Sequence, residues 1–334
     1  MKARREPHPG AKLAIGLAQF RSALGDKADN LARGLALIRG WRPPRRPAVL
    51  VFPELWTTGY LAEKEFARLA EPIPGPASRA LAAAARRRGI YLLAGSIAER
   101  RDDGVYNTAL LIDPRGRTLL RFSKVHLWDR EVHYFRAGGG YRVARTPFGT
   151  VGIMICYDGD FPEVPRLLTL RGAELIFHPS AYPSPHDREW RLIYPAAALQ
   201  NYAYIAQVNR VGIERGLSTG SRVHFFGGSA VHDPTGRTVL QAPFVPPPRP
   251  GRDRIDTCVI DLERVRRLRR REYLVDRRPA TYSPILNAAR RTSAPIRTFT
   301  PDQGGVPAAA SSAGKTRRSR KARSSRRYAS GSAS

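Results

Sequence analysis

One cysteine stands where an apolar run gives way to a turn. Val151, Gly152, Ile153, Met154 and Ile155 lead into Cys156, and Tyr157, Asp158, Gly159, Asp160, Phe161 and Pro162 follow it. A thiol held at a strand-to-helix corner is lifted out of the sheet and faces backbone N–H groups able to stabilise an oxyanion, which suits attack on a carbonyl carbon. Two other residues could complete that chemistry. Glu54 follows the apolar residues 49–52 and the helix-stopping Pro53, at the mouth of a buried strand where a partly desolvated carboxylate can act as a base. Lys124 ends the run that begins near Thr118 and could offer fixed positive charge to a developing oxyanion. Taken singly, each has a plainer reading: a small buried thiol, a solvated loop acid, a surface lysine.

The elements that must position these residues follow from periodicity. Residues 12–19 alternate as a strand with Leu13, Ile15 and Leu17 on one face, and residues 30–38 carry helical spacing. Residues 48–52 form a buried strand, 77–88 a helix, 90–97 a strand. Two hairpins are marked by turn clusters: 109–112 and 118–122 flank Asp113, Pro114, Arg115 and Gly116, while 228–232 and 238–241 flank Asp233, Pro234, Thr235 and Gly236. Between them come a strand at 150–155, a helix at 165–170, a strand at 175–178, a helix at 190–202 and a strand at 204–209. A proline-rich loop at 244–252, a strand at 255–260 and a basic helix at 262–271 complete the pattern. Alternating strands and helices predict an α/β fold in one domain over residues 1–283, its core starting at about residue 12. Residues 284–334 turn basic and rich in Ser, Ala and Arg, a composition expected to stay disordered.

The three candidate residues sit in local motifs: Phe52, Pro53, Glu54 with Gly59 and Tyr60; Lys124, Val125, His126, Leu127 with Glu131; and Gly152, Ile153, Met154, Ile155, Cys156, Tyr157, Asp158 with Phe161, Pro162, Glu163. Supporting matches are Gln19, Asn107, His178 with Pro179, Asn209, Gly228 with Ser229, Asp233, Pro234 and Gly236, and the closing Asp276, Arg277, Arg278, Pro279 and Tyr282. In this order the motifs resemble those of the nitrilase superfamily of carbon–nitrogen hydrolases, over residues 12–283. The resemblance implies a four-layer α-β-β-α sandwich, assembled as a homodimer or larger oligomer across outer helices. It implies Glu54 as base, Cys156 as nucleophile, and Lys124 with the Tyr157 N–H as oxyanion holders. Glu131 matches a second glutamate that orients substrate, although Asp129 lies close by. The reaction so implied releases ammonia or an amine from a small amide or N-carbamoyl compound through a thioester, with no metal and no organic cofactor.

Departures within the motifs narrow the substrate. Tyr157 and Asp158 stand where the nitrilase branch has Trp and Glu, which favours amides over nitriles. Gly159 and Asp160 stand where the branch acting on N-carbamoyl-D-amino acids has arginines, which disfavours a carboxylate gripped there. Trp56, Tyr60, Trp128, His133, Tyr157 and Tyr182 flank the motifs and are candidates either for an aromatic pocket, with Tyr60 and Tyr157 positioning substrate, or for packing. Nitrile hydrolysis and acyl transfer by the same three residues remain the competing chemistries.

Composition excludes several other classes. The two cysteines, Cys156 and Cys258, cannot build a disulfide framework, the seven histidines are dispersed, and there is no Gly-x-Ser-x-Gly elbow. Cys258 reads as a core residue. No apolar stretch is long enough to span a membrane and no signal-peptide layout appears, so a cytoplasmic location is expected. The formal charge is +29. From Pro284 onward eleven Lys or Arg face one acid, and residues 315–327 hold eight basic residues in thirteen. This tail reads first as a solubilising one, and a nucleic-acid or acidic-surface contact is expected only through it.

Overall fold

The computed structural model describes residues 12–269, 274 and 276–288. Its first strand, β1 (Lys12–Gln19), shows how the sequence builds layers. Leu13, Ile15 and Leu17 face one way and Ala14 and Ala18 the other, yet both sets are fully buried, because the sheet is covered on both faces. The strands that follow are β2 (Ala48–Val51), β3 (Tyr91–Arg101), β4 (Gly104–Ile112), β5 (Thr118–Ser123), β6 (Val143–Thr146) and β7 (Gly149–Ile153). Then come β8 (Leu175–Ser180), β9 (Tyr204–Asn209), β10 (Val211–Arg215), β11 (Arg222–Phe226), β12 (Ala230–His232), β13 (Thr238–Gln241) and β14 (Arg254–Asp261). Helices α1 (Lys27–Gly40), α2 (Phe66–Leu69), α3 (Pro76–Arg88), α4 (Glu163–Leu170), α5 (Asp187–Asn201), α6 (Glu263–Leu268) and α7 (Ser283–Ala288) connect or flank them.

Two six-stranded sheets result, ordered β14-β1-β2-β3-β4-β5 and β13-β12-β9-β8-β7-β6, with β10 and β11 as a separate hairpin. In each sheet three strands run parallel and the flanking pairs are antiparallel. The parallel strands are joined by helices, as crossover connections require. Ile38, Trp41, Leu81, Ala84 and Ala85 of the α1–α3 layer pack on Ala14, Leu50 and Leu92 of the first sheet. Leu13, Ile15, Leu17, Val49, Val51 and Leu93 turn instead toward Val151, Ile153, Phe177, Ala206 and Val208 of the second sheet, whose other side is covered by α4 and α5. This is the four-layer α-β-β-α sandwich expected. Burial of each of these Val, Leu and Ile side chains contributes roughly 1.5–3 kcal/mol, so the apolar layer between the sheets is a main source of cohesion.

The expected strands, helices and both hairpins are present within a few residues. Missed were β6, β10 and β11, short strands in which Arg, Gly and His interrupt the apolar pattern, and the single-turn helix α2. Cys258, expected in the core, is half-buried in β14 and packs at the margin of the inter-sheet layer. Of the basic helix at 262–271, residues 263–268 are helical and 270–271 lie outside the described residues. The first residues of the expected tail belong to α7; residues 289–334, with the basic run, lie outside the described residues. Among the described residues no helix is long and apolar enough to cross a membrane.

Candidate active site

Each chemical residue sits just beyond the end of a strand. Glu54 lies in the turn after β2, and a bulge in β3 holds that turn in place. At Gly95 φ is +64°, and a Cβ there would lie 2.1 Å from the Pro53 carbonyl oxygen, so only glycine permits the approach. Across this contact Ser96 Oγ accepts from the Leu55 N–H at 3.0 Å, and Trp56 Nε1 donates to the Ala94 carbonyl at 2.7 Å. Glu54 is fully buried: its Oε1 accepts from Asn107 Nδ2 and Lys124 Nζ, both at 2.8 Å, and its Oε2 from the Ala181 N–H at 2.9 Å.

Lys124, directly after β5, is also fully buried, its ammonium lying between two carboxylates. Besides Glu54, it donates to Glu131 Oε1 at 2.9 Å and lies 2.8 Å from Oε2. Burial alone would lower the lysine pKa, but the charges of Glu131 and Glu54 raise it well above its ordinary value, so the ammonium keeps its proton. Glu131 lies in the 3₁₀ turn Asp129–His133 and also accepts from the Trp128 N–H at 2.8 Å. Burial pushes its carboxyl up to about 7 against the pull of Lys124, and the Glu54 charge adds to the rise.

Cys156 opens a 3₁₀ turn, Cys156–Asp160, with φ of +47°, an uncommon conformation for a residue bearing a Cβ. Its carbonyl accepts from His178 Nε2 at 2.9 Å; burial lowers the His178 pKa to about 4, so the imidazole is neutral there. Gly159 makes the turn possible, since a Cβ would meet Tyr194 at 2.8 Å and His178 at 2.9 Å. The thiol lies in the same electrostatic cluster as Glu54, Lys124 and Glu131. Burial, then Glu54, raises its pKa well above the ordinary value, while Lys124 and the Ala181 N–H pull it down. The structure thus brings together the four polar side chains expected from sequence.

Asp158 holds this cluster together. Fully buried, it accepts from the N–H groups of His126 (2.8 Å), Val125 (3.3 Å) and Ile155 (3.1 Å) and from Tyr141 Oη (2.7 Å). One carboxylate therefore ties the cysteine turn to the segment that follows Lys124. Asp158→Ala is expected to cost roughly 2–4 kcal/mol by stranding buried donors. A lowered urea midpoint with a native circular-dichroism spectrum is the outcome to look for; an unmoved midpoint would leave Asp158 without this role.

Beside Cys156 opens a cavity of about 220 Å³, lined among others by Trp128, Tyr157, Asp160, Tyr182, His186 and Glu189. Asp160 accepts from Tyr194 Oη at 2.9 Å and from Tyr182 Oη at 3.1 Å; burial raises its carboxyl and these phenols pull it back. Of the aromatic candidates, Trp128, Tyr157 and Tyr182 line the cavity. Trp56 does not: it is fully buried in the outer helical layer, edge-on to Phe20 and packed on Phe52, because the β3 bulge draws its indole inward. His133 is exposed and its ring neighbours Tyr134. Tyr60 is not among the residues that line the cavity: it is buried, edge-on to Phe225, and burial with the nearby Glu131 and Glu54 charges raises its phenol well above the ordinary range. Sequence reasoning missed the Ala181 N–H, for which side-chain identity carries no signal, and the pocket residues His186 and Glu189, which no motif marks. Among the described residues no group of three or more His, Cys, Asp or Glu is arranged to hold a metal ion.

The chain is similar to several known proteins. An (R)-stereoselective amidase of Pseudomonas sp is 33% identical over 269 residues, spanning 80% of this chain and 92% of that protein. A nitrilase of Pyrococcus abyssi is 38% identical over 198 residues, 58% of this chain and 71% of its own. The crystal structure of a carbon–nitrogen hydrolase from Helicobacter pylori G27 superposes with a TM-score of 0.73 at 25% identity, over 82% of this chain and 98% of that one. Residues 14–270 match the carbon–nitrogen hydrolase family model, and the chain belongs to that family.

Proposed function

We propose that this enzyme hydrolyses small amides or N-carbamoyl compounds, with Cys156 as nucleophile, Glu54 as general base and acid, and Lys124 with the Tyr157 N–H holding the oxyanion. The observation that carries the reading is the Lys124 ammonium, 2.8 Å from Glu54 and 2.8–2.9 Å from Glu131, in one buried cluster with the Cys156 thiol. A thiol whose pKa is raised needs a base, and Glu54 is the neighbour that raises it most after burial.

In the first step the thiol proton passes to Glu54 as the C–S bond forms and the carbonyl oxygen takes up negative charge beside Lys124. Collapse breaks the C–N bond, and Glu54 returns the proton to the leaving nitrogen, giving ammonia or an amine and a thioester. Water then attacks, its proton going to Glu54. The C–S bond breaks, the acid leaves, and the proton restores the thiol. Mass spectrometry of acid-quenched enzyme during turnover of a slow amide tests the intermediate, the acyl mass being expected on the peptide that contains Cys156. Turnover with no acyl adduct under any quench condition would discard the thioester route.

Glu131 accepts no thiol proton in this scheme; it fixes Lys124 and orients the substrate amide. Glu131→Gln should leave the protein folded and lower kcat/KM by on the order of 10²–10³-fold. Its raised pKa adds a second signature. Between 4.5 and about 7 the folded protein holds a proton on Glu131 that the unfolded chain has released, so this carboxyl's contribution to stability falls as pH rises through that window. Denaturation midpoints at pH 5 and 7.5 should therefore converge in Glu131→Gln relative to wild type. Full activity in this variant would reduce Glu131 to a packing acid.

The amide is favoured over the nitrile by Tyr157 and Asp158 at the positions where the nitrilase branch carries Trp and Glu. Leu167, Leu170, Leu192 and Leu199 are exposed along α4 and α5, which supports assembly as a homodimer or larger oligomer through that helical layer. Two unpaired cysteines suit a cytoplasmic setting.

A further inference from the structure

We infer that the enzyme selects amides whose far end carries a protonated amine, and that Asp160 is the residue that reads it. The inference rests on the hydrolase reading of Cys156 and goes on to name a substrate class. The cavity beside Cys156 has acids on its wall and, among the residues that line it, neither Lys nor Arg. Asp160 is half-buried there. Tyr182 Oη lies 3.1 Å from each of its oxygens and Tyr194 Oη 2.9 Å from Oδ1. A carboxylate offers roughly four lone-pair positions, so capacity remains on Oδ2 for a donor from the cavity.

The rest of the site points the same way. Glu189 lines the same cavity, and the one cationisable group on its wall, His186, lies 3.6 Å from Glu189 at the outer edge, where both side chains are more than 40% exposed. Beneath the thiol, Lys124 brings one positive charge, but Glu54 and Glu131 flank it, so the cluster carries no net excess of positive charge. Trp128, Tyr157 and Tyr182 also line the cavity, and aromatic rings attract an ammonium where they offer it a face. A substrate carboxylate would meet Asp160 as a like charge, with His186 at the outer edge the one cationisable group on the wall.

A matched series tests this: 4-aminobutanamide, which is cationic, pentanamide, which is neutral, and glutaramate, which is anionic, share chain length and the primary amide. Wild-type enzyme is expected to prefer the cationic amide to the neutral one by on the order of tenfold or more in kcat/KM, with the anionic one last. The ratio of cationic to neutral kcat/KM should collapse toward one in Asp160→Asn, which keeps an oxygen for Tyr182 and Tyr194, and should persist in Asp160→Glu. Using the ratio within each preparation removes any general loss of activity or folding. Glutaramate turned over as well as 4-aminobutanamide by wild type, or an unchanged ratio in Asp160→Asn, overturns the inference while leaving the hydrolase intact. No release from any of the three also overturns the inference, while ammonia release that survives Cys156→Ala sinks the reading of Cys156 as nucleophile and this inference with it.

Discussion

Replacing Cys156 with Ala is expected to lower kcat/KM for amide hydrolysis by on the order of 10⁴-fold or more, the scale seen when a covalent nucleophile is removed from a preorganised site. The variant should fold, because the position needs little from the sulfur: the turn is held by Asp158 to Ile155, His126 and Val125, and by His178 to the Cys156 carbonyl. The loss should appear in kcat rather than in ligand retention, since Trp128, Tyr157, Tyr182 and Asp160 still line the cavity. Ammonia release measured beside an unchanged circular-dichroism spectrum checks it. Residual activity within tenfold of wild type would mean that attack does not come from this sulfur.

Lys124→Met should have the second largest effect, and it should be felt in both activity and stability. The side chain is fully buried between Glu54 and Glu131, so removing the ammonium leaves two carboxyls facing each other without a cation. Breaking a buried ion pair in this way costs about 3–5 kcal/mol. Loss of the charge beside the developing oxyanion should lower kcat by on the order of 10³-fold. The pH dependence has a definite sign. In wild type the raised lysine pKa keeps its stabilising charge in full across neutral pH. In the variant Glu131, already raised to about 7, rises further, and the penalty for ionising it grows with pH. The stability deficit against wild type should therefore be larger at pH 8 than at pH 5. Equal deficits at both values would contradict a charge-based role for Lys124.

The layers were legible in the sequence because burial on both faces leaves a strong pattern: β1 and β2 are near-continuous apolar runs, and the two Asp-Pro-x-Gly turns fix their hairpins. Cys156, Glu54 and Lys124 were legible because each follows such a run within a local motif. What escaped was set by geometry rather than by composition. Trp56, two residues from Glu54, reads as a pocket aromatic until the bulge at Gly95 turns its indole to the Ala94 carbonyl. Asp158 reads as a departure from a motif, and its role as shared acceptor emerges only when β7 and the end of β5 come together. His186 and Glu189 reach the cavity through the placement of one helix start, which no local spacing encodes.

Glu54, Lys124 and Asn107 hang from the first sheet, and Cys156 and Ala181 from the second. On the proposed mechanism neither half of the sandwich carries all the reacting groups. Turnover is therefore expected to gauge how the halves are docked: a state that keeps every strand but lets the apolar seam between Leu13, Ile15, Val151 and Ile153 part by a few ångströms should already be inert. In gentle heating or dilute denaturant, turnover should fade while the far-ultraviolet signal of the strands still stands.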